Sequence, residues 1–427
     1  MLKILVINEV SPQIKNRTSI LFEKIVPILC KKNEVKIFWL STDKIEEKGN
    51  TGFKYESLYW KNFKNAKEVI EKINPSLIYL FPGQSIIDYS FLLASRQLQI
   101  PTCGWVEGTP MFGYNSSRKK YFKEQLRNFF VKKQTDTNNI SFRGISFIQK
   151  NLFFIKTARS IGKTYYYIML DLFQQFQRMY YLETRKEKNN AKFDCDLLLI
   201  ENEYSVEYGS THGLSKEKMV IVGDPNYDLA FKKRCIDDME KIEKFNVLFI
   251  TVNLSSQADS NWSIYEQNKM IEELSNEYKK WGNNFSLSIK IHPVSEDFDY
   301  YKKNIDKHNV NIKLFQHENI YELIEKADVV LTTATSTAGS IGLIMNKPII
   351  ICNYFQVKND QFLNSKVAIK CENISNIKDC VLMANSFNKE NEFKIEKFIE
   401  KFYIDGNSIQ KIVNAIENLI KNHIYLK

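Results

Sequence analysis

Four short stretches hold the residues best suited to chemistry. Lys290-Ile291-His292-Pro293 closes an apolar run, and the proline stops the strand so that His292 sits at its tip. An imidazole there can donate to a phosphate oxygen or protonate a leaving group near neutral pH, or simply be hydrogen-bonded in a turn. Thr332-Thr333-Ala334-Thr335-Ser336-Thr337 gathers hydroxyls at the start of a helix. Free backbone N–H groups and the positive dipole end make such a place a phosphate site, and Ser336 or Thr337 can also serve as an ordinary N-cap. Trp105-Val106-Glu107-Gly108-Thr109-Pro110 follows another apolar run. Glu107 can act there as a general base toward a hydroxyl nucleophile, with Gly108 allowing close backbone approach; a solvated loop glutamate is the plainer reading. Gly223-Asp224-Pro225-Asn226-Tyr227-Asp228 reads as a rigid hinge. Gly162-Lys163-Thr164 matches only the end of a P-loop, because Thr157 stands where that motif needs glycine and no strand-like run precedes it.

The elements that must position these residues alternate. Strand-like runs fall at Lys3–Ile7, Val35–Leu40, Leu77–Phe81, Thr102–Val106, Asp196–Ile200 and Met219–Val222, with helical patterns at Ser19–Cys30 and Ile87–Leu98. A second series has strands at Val247–Val252, Leu287–Ile291, Ile312–Phe315, Val329–Thr332 and Pro348–Cys352. Its helices fall at Ile264–Trp281, Ile320–Lys326 and Ala338–Asn346, with further helices at Glu392–Phe402 and Ser408–Ile424. Short, continuously apolar strands separated by helices imply parallel sheets covered on both faces. The expected class is α/β, two doubly wound Rossmann-like domains facing a cleft. Residues 1–230 form the first domain and 244–405 the second. The charged stretch Lys232–Glu243 links them and 406–427 adds a helix. In such folds ligands bind beyond the carboxyl ends of the strands, where all four stretches fall.

The chain has 427 residues, enough for two domains with proper cores. Its 44% hydrophobic and 26% charged composition excludes a disordered protein. No run approaches the roughly 20 apolar residues that span a bilayer, and the opening apolar run is too short for a signal peptide. Seven cysteines without a C-x-x-C pair fit free thiols in a reducing cytoplasm, and five histidines without metal-ligand spacing give no zinc site. The net charge of +10 is local: residues 116–190 carry 16 Lys/Arg against 5 Asp/Glu, which leaves the remainder at −1. The same segment holds 15 Phe/Tyr, in pairs such as Phe153-Phe154 and the triplet Tyr165-Tyr166-Tyr167. It reads as a basic helical insertion in the first domain. Such helices suit an anionic membrane surface, packing on the domain or a second subunit, or single-stranded nucleic acid.

In order and placement, Glu107-Gly108, His292-Pro293 and Ser336-Thr337 resemble the acidic-Gly, His-Pro and Ser-Ser/Thr motifs of bacterial GT-B glycosyltransferases of surface polysaccharide synthesis, the sialyltransferase and capsule groups above all. The stretch from Ala327 through Ile350 is similar to the nucleotide-sugar half of that fold. Lys218–Asp228 is similar to the segment closing the first domain there and in polyol-phosphate transferases. The resemblance covers most of 1–110 and 195–425. It implies a GT-B fold with Glu107 and His292 catalytic, Glu107 as general base and His292 on the donor phosphate. Gly108, Lys290, Pro293, Thr335, Ser336 and Thr337 would bind substrate. Ile341 and the absence of any acid from Thr337 to Pro348 depart from relatives that hold a UDP ribose with Glu, which points toward a CMP-type donor. Val106 stands where a second carboxylate is often seen.

The implied activity is transfer of a sugar from a nucleotide-activated donor, CMP- or UDP-type, to a hydroxyl of a surface polysaccharide or glycolipid. The displacement would be inverting and need neither metal nor cofactor. A polyol-phosphate transferase or nucleotide-sugar 2-epimerase on the same fold, or a non-catalytic protein binding nucleic acid or membrane through 116–190, are the competing readings. The expected partners are the nucleotide-sugar donor, a carbohydrate or lipid-linked acceptor and an anionic membrane surface, with no nucleic acid. The expected location is the cytoplasm, peripheral on the inner face of the cell membrane.

Overall fold

Each expected parallel run is a strand, buried on both faces except where Met219–Ile221 and Ile312–Phe315 lie at sheet edges. The computed structural model describes residues 1–13, 16–42, 51–82, 85–106, 132–133, 141–181, 194–211, 213–234, 244–252, 264–293, 296–354 and 360–425. Contacts divide these into two units, one built from residues up to Pro225 together with Asn407 onward, the other from Asn226–Gly406.

In the first unit the chain runs through β1 (Leu2–Asn8), α1 (Arg17–Lys32), β2 (Val35–Ser41), β3 (Tyr55–Tyr59), α2 (Ala66–Ile73), β4 (Leu77–Tyr79), α3 (Ile86–Leu98) and β5 (Thr102–Trp105). A short antiparallel ribbon follows, β6 (Lys132–Lys133) with β7 (Ser141–Phe142), then α4 (Arg143–Ser160) and α5 (Tyr165–Tyr181). The series closes with β8 (Leu197–Ile200), α6 (Glu203–Thr211) and β9 (Met219–Ile221). The sheet order is β3-β2-β1-β4-β5-β8-β9, every pairing parallel. Strand alternation splits β1 between two cores: Ile4 and Val6 join Leu21, Phe22 and Ile25 of α1, whereas Leu5 and Ile7 join Val69, Ile70, Phe91 and Leu92 of α2 and α3. Gly104 lets β5 lie close to its neighbours, since a Cβ there would meet the Leu80 carbonyl oxygen at 2.6 Å and Cys195 Sγ at 2.9 Å.

The basic segment is partly core. Phe153 and Phe154 of α4 are buried against the α2–α3 layer, Phe154 stacked on Tyr89 with centroids 5.5 Å apart. Thr157 Oγ1 accepts the Ala66 amide at 3.0 Å, which ties α4 to the start of α2. Gly162-Lys163-Thr164 is the turn between α4 and α5; Gly162 has φ +85° and Lys163 pairs with Asp171 at 2.6 Å. Residues 116–131, 134–140 and 182–190 of the segment lie outside the described residues.

The second unit begins with α7 (Asp228–Lys232), β10 (Phe245–Ile250), α8 (Ile264–Tyr278), β11 (Phe285–Lys290), α9 (Phe298–Lys307) and β12 (Ile312–Phe315). It continues through α10 (Ile320–Glu325), β13 (Val329–Thr332), α11 (Thr337–Ile344), β14 (Ile349–Cys352), α12 (Gln361–Asn364), β15 (Ile369–Cys371) and α13 (Ile377–Phe402). The order β12-β11-β10-β13-β14-β15, all parallel, is doubly wound with its switch point between β10 and β13. Of the stretch read as a linker, Lys233 and Arg234 pair with Glu325 and Glu396 inside this unit, and 235–243 lie outside the described residues. The chain then returns: α14 (Ser408–Tyr425) lays Ile412, Val413 and Ile416 on the α1 face of the first sheet.

The structure adds β3, β15, the β6–β7 ribbon, the helices α2, α6, α7, α9 and α12, and the first half of a longer helix to the expected elements. β3 and β15 are edge strands, short and partly exposed, so they lack the continuous apolar run of a central strand. α13 is 26 residues long where only its second half was expected. Its buried residues come in two groups, Ile377–Ala384 and Ile395–Ile399, and no described residue between Ala384 and Ile395 is buried. That polar middle hides the continuity of the helix.

Phe154→Ala should lower the stability of the first unit by about 3–5 kcal/mol, measured by urea denaturation. A loss under about 1 kcal/mol would mean that α4 is an appendage rather than core.

Candidate functional site

The carboxyl edge of the second sheet gathers most of the residues singled out by the sequence. The register sets Ile250, Lys290 and Thr332 level across β10, β11 and β13. The next residues, Thr251, Ile291 and Thr333, therefore line the edge at the switch point. His292 and Pro293 follow at once and are exposed. On the β13 side, Thr332 to Thr335 are buried, Ser336 is half-buried and Thr337 exposed.

Ser336 is the N-cap of α11: its Oγ accepts the Gly339 amide at 3.1 Å. Capping uses one amide of the first turn, and those of Thr337 and Ala338 have no intrahelical carbonyl to meet, so the positive end of the helix stays available to an anion. Thr333 Oγ1, in the same loop, is buried without a hydrogen-bond partner. A buried hydroxyl left unpaired beside a helix N-terminus is the state expected of a loop built around a ligand.

Two of the residues expected to touch substrate are engaged elsewhere. Lys290 is 7% exposed, and its ammonium donates to the carbonyls of Ile291 and Gln316 at 3.1 and 2.5 Å. Burial lowers its pKa, against the raising effect of Glu318 and Glu296. Thr335 is fully buried; its amide and Oγ1 donate to the two Asp360 carboxylate oxygens at 2.7 and 2.8 Å. Asp360 also caps α12 through the amides of Phe362 and Leu363. Lys290 and Thr335 thus hold the two loops in shape; His292 and Thr337 are exposed, and Ser336, which caps α11, is half-buried. Ile341 is packed in the core with Leu343 and Ile344, and neighbouring Ser340 meets Tyr403 OH at 2.7 Å. The apolar residue at 341 has a packing cause, so it carries no message about a ribose.

Sequence reasoning missed the group that anchors the His292 loop. Glu296 is buried and accepts from the His292 amide, Thr251 Oγ1, Gln267 Nε2 and Tyr301 OH. Burial, and then Glu296 itself, pushes the Tyr301 phenol far up. The only sequence signal was an acid four residues after the histidine.

In the first unit, Glu107 and Gly108 lie outside the described residues; Val106 before them is buried and donates to the Leu199 carbonyl at 3.0 Å. At the same sheet edge Arg17, the first residue of α1, pairs with Glu201 beyond β8 and with Asp224 at 3.1 Å, its guanidinium 4.8 Å from the Trp105 ring centroid. The Gly223-Asp224-Pro225 turn is thereby tied to α1, Lys24 also donating to the Pro225 carbonyl at 2.8 Å. Beyond β4, Asp88 at the start of α3 is buried, and burial pushes its carboxyl up to about 7. No group of metal-ligating side chains occurs among the described residues.

These two doubly wound sheets match solved structures over nearly the whole chain. The wall teichoic acid polymerase TagF superposes with a TM-score of 0.54 at 12% identity, covering 99% of this chain and 90% of that one. The fold is GT-B. A putative UDP-N-acetylglucosamine 2-epimerase from Listeria monocytogenes shares it with a TM-score of 0.50 at 11% identity, covering 99% and 97%. Among curated proteins, the teichoic acid glycerol-phosphate primase of Bacillus subtilis (strain 168) is 24% identical over 227 residues, 50% of this chain and 55% of the relative. The chain thus spans about half the length of the curated relative it matches. No family model matches. The resemblance read from the motifs, to bacterial GT-B enzymes of surface-polymer synthesis, is met by relatives of that kind. The fold is one on which both transferases and epimerases are built.

Asp360→Ala should destabilise the second unit by about 2–3 kcal/mol in a denaturation experiment, because it strands the buried Thr335 donors and uncaps α12. Asp360→Asn, which keeps one acceptor oxygen, should cost less. Equal losses would show that the carboxylate serves another purpose.

Proposed function

We propose that this chain is a transferase that moves a nucleotide-activated group to a hydroxyl of a surface polysaccharide or glycolipid acceptor. One observation carries the reading: exposed His292 beyond β11 and the Ser336-capped N-terminus of α11 beyond β13 lie on the same carboxyl edge, on either side of β10. An imidazole N–H and the amides of Thr337 and Ala338 are the donors a departing nucleotide phosphate needs. Pro293 fixes where the His292 loop leaves the strand, and Thr337 adds a hydroxyl. Glu107, with Gly108 beside it, is the proposed general base.

With a sugar nucleotide, the acceptor oxygen attacks the anomeric carbon as Glu107 takes its proton. The bond from that carbon to the phosphate oxygen breaks, and its electron pair leaves with the nucleotide, whose charge His292 and α11 receive. A second donor is favoured by the curated relative, a glycerol-phosphate primase, and by a TagF structure soaked with CDPG. With a CDP-activated polyol phosphate, the acceptor oxygen attacks phosphorus, the bond between the two phosphates breaks, and CMP departs from the same edge. Product NMR separates the two, one leaving a glycosidic bond and the other a phosphodiester. A 2-epimerase would return an isomerised nucleotide sugar with no acceptor consumed.

We further propose that the acceptor is met at an anionic membrane surface through α5. Tyr166, Met169, Leu170 and Phe173, spaced i, i+3, i+4 and i+7, are all exposed, Tyr166 at 71% and Met169 at 63%. Ile168 and Leu172 of the same helix pack on the core, so α5 is apolar on two faces. Lys156 and Arg159 are exposed at the end of α4 next to it. No described helix is long and apolar enough to cross a membrane.

A calorimetric panel of CMP, CDP, UDP and GDP tests the site. Binding of one of them that weakens about tenfold or more in His292→Ala and in Ser336→Ala is expected. Binding of none, or no loss in either variant, would overturn the reading. Vesicle sedimentation tests the surface: partition onto phosphatidylglycerol vesicles should fall at least about tenfold in Tyr166→Ser/Met169→Ser/Phe173→Ser. Unchanged sedimentation of that variant would remove the membrane from the partners.

A further inference from the structure

We infer that Glu296 is the positioning residue for His292, through a carboxylate on which four elements of the second unit converge. The inference rests on the proposed role of His292 and adds the group through which the fold controls it. Glu296 is 6% exposed. Its Oε2 accepts from the His292 backbone amide and from Thr251 Oγ1, directly beyond β10. Its Oε1 accepts from Gln267 Nε2 on α8 and from Tyr301 OH on α9, the latter at 2.8 Å. A carboxylate is acceptor-only and has room for four donors, and here it has four.

The rest of the loop is stitched to the same place. Gln316, just after β12, donates from Nε2 to the Glu296 carbonyl at 2.8 Å, and its own carbonyl accepts Lys290 Nζ. Lys290 also holds the Ile291 carbonyl. Pro293 follows His292 and has no amide to offer. Among the described residues, the Ile291 carbonyl, the His292 amide and both ends of Glu296 are fixed points of this turn. The His292 amide is the one that sets where the imidazole begins.

The chemistry of the neighbours predicts how substitutions rank. Gln267 Oε1 is buried without a partner while its Nε2 serves Glu296. In Glu296→Gln the new amide can keep its oxygen toward the His292 amide and Thr251. Its NH2 then faces Gln267 and Tyr301: Gln267 can turn its unused oxygen to accept from both, and the phenol oxygen, which now accepts from Gln267, can accept from the new NH2 instead. Glu296→Gln should therefore keep the loop in place. Glu296→Ala removes every acceptor and Glu296→Asp withdraws them by one methylene, so both release the His292 amide. What is required is an acceptor at that point, not negative charge as such.

The experiment measures CDP binding by calorimetry on the full chain, together with hydrogen exchange of the segment containing the His292 amide. Glu296→Ala should weaken CDP about tenfold and speed that exchange, Glu296→Gln should remain within about threefold of the parent, and Glu296→Ala added to His292→Ala should bring no further loss. Phe154→Ala, which loses stability in the other unit, controls for general destabilisation and should bind normally. Additive losses in the double variant, or slow exchange in Glu296→Ala, would overturn the inference while leaving the site standing. If His292→Ala alone binds CDP as the parent does, the reading of the site falls and this inference with it.

Discussion

A parallel strand covered by helices on both faces has no free side. From Val247 on in β10, and throughout β13, every residue is buried in one of two cores, one holding Phe249 and Leu331, the other Leu248 and Val330. Groups meant for a ligand must therefore sit past the end of the strand, where the chain turns to enter the next helix. That constraint explains why His292, Thr333 and Ser336 stand one to four residues beyond their strands. It also explains why the loops that carry them are so heavily tied down. A loop freed from the sheet has to recover its rigidity from side chains, and here Lys290, Thr335, Asp360 and Glu296 supply it.

Much of this is legible in the amino-acid sequence, for a physical reason. Central parallel strands announce themselves as unbroken apolar runs, so the central strands of both sheets can be read directly, while short helices such as α2, α6 and α9 are not. Edge strands β3 and β15 are half exposed and resemble loops. α13 bridges two groups of core residues with a polar middle, and no short window sees both. At the site, His292 and Ser336 are marked by what flanks them, a proline and a helix start. Lys290 and Thr335 have the right types in the right place, yet their polar atoms face inward, a matter of side-chain direction that spacing does not encode. Glu296 and Asp360 are invisible for a related reason. Each is an ordinary loop acid until the four or five donors around it, drawn from distant parts of the chain, are brought together.

The concentrated positive charge divides in the same way. Its apolar residues serve two masters on neighbouring helices: Phe153, Phe154 and Ile168 fill the first unit's core, while Tyr166, Met169, Leu170 and Phe173 are exposed. A segment that read as one insertion with competing purposes proves to be a structural layer with an apolar outer surface. The packing reading holds for the inner face of these helices, and the outer stripe is the part left for a surface to meet.

The return of α14 to the first sheet has a consequence for synthesis. Trp39, Tyr79 and Trp105 lie in the core that Ile412, Val413 and Ile416 complete. The residues that cover this face are made only after Asn226–Gly406 has been translated. At about 5–20 residues per second, the emerging first unit waits on the order of ten to forty seconds with that apolar face incompletely covered. During that interval the nascent chain is a natural client for a chaperone at the ribosome, and its maturation is paced by translation of the second unit.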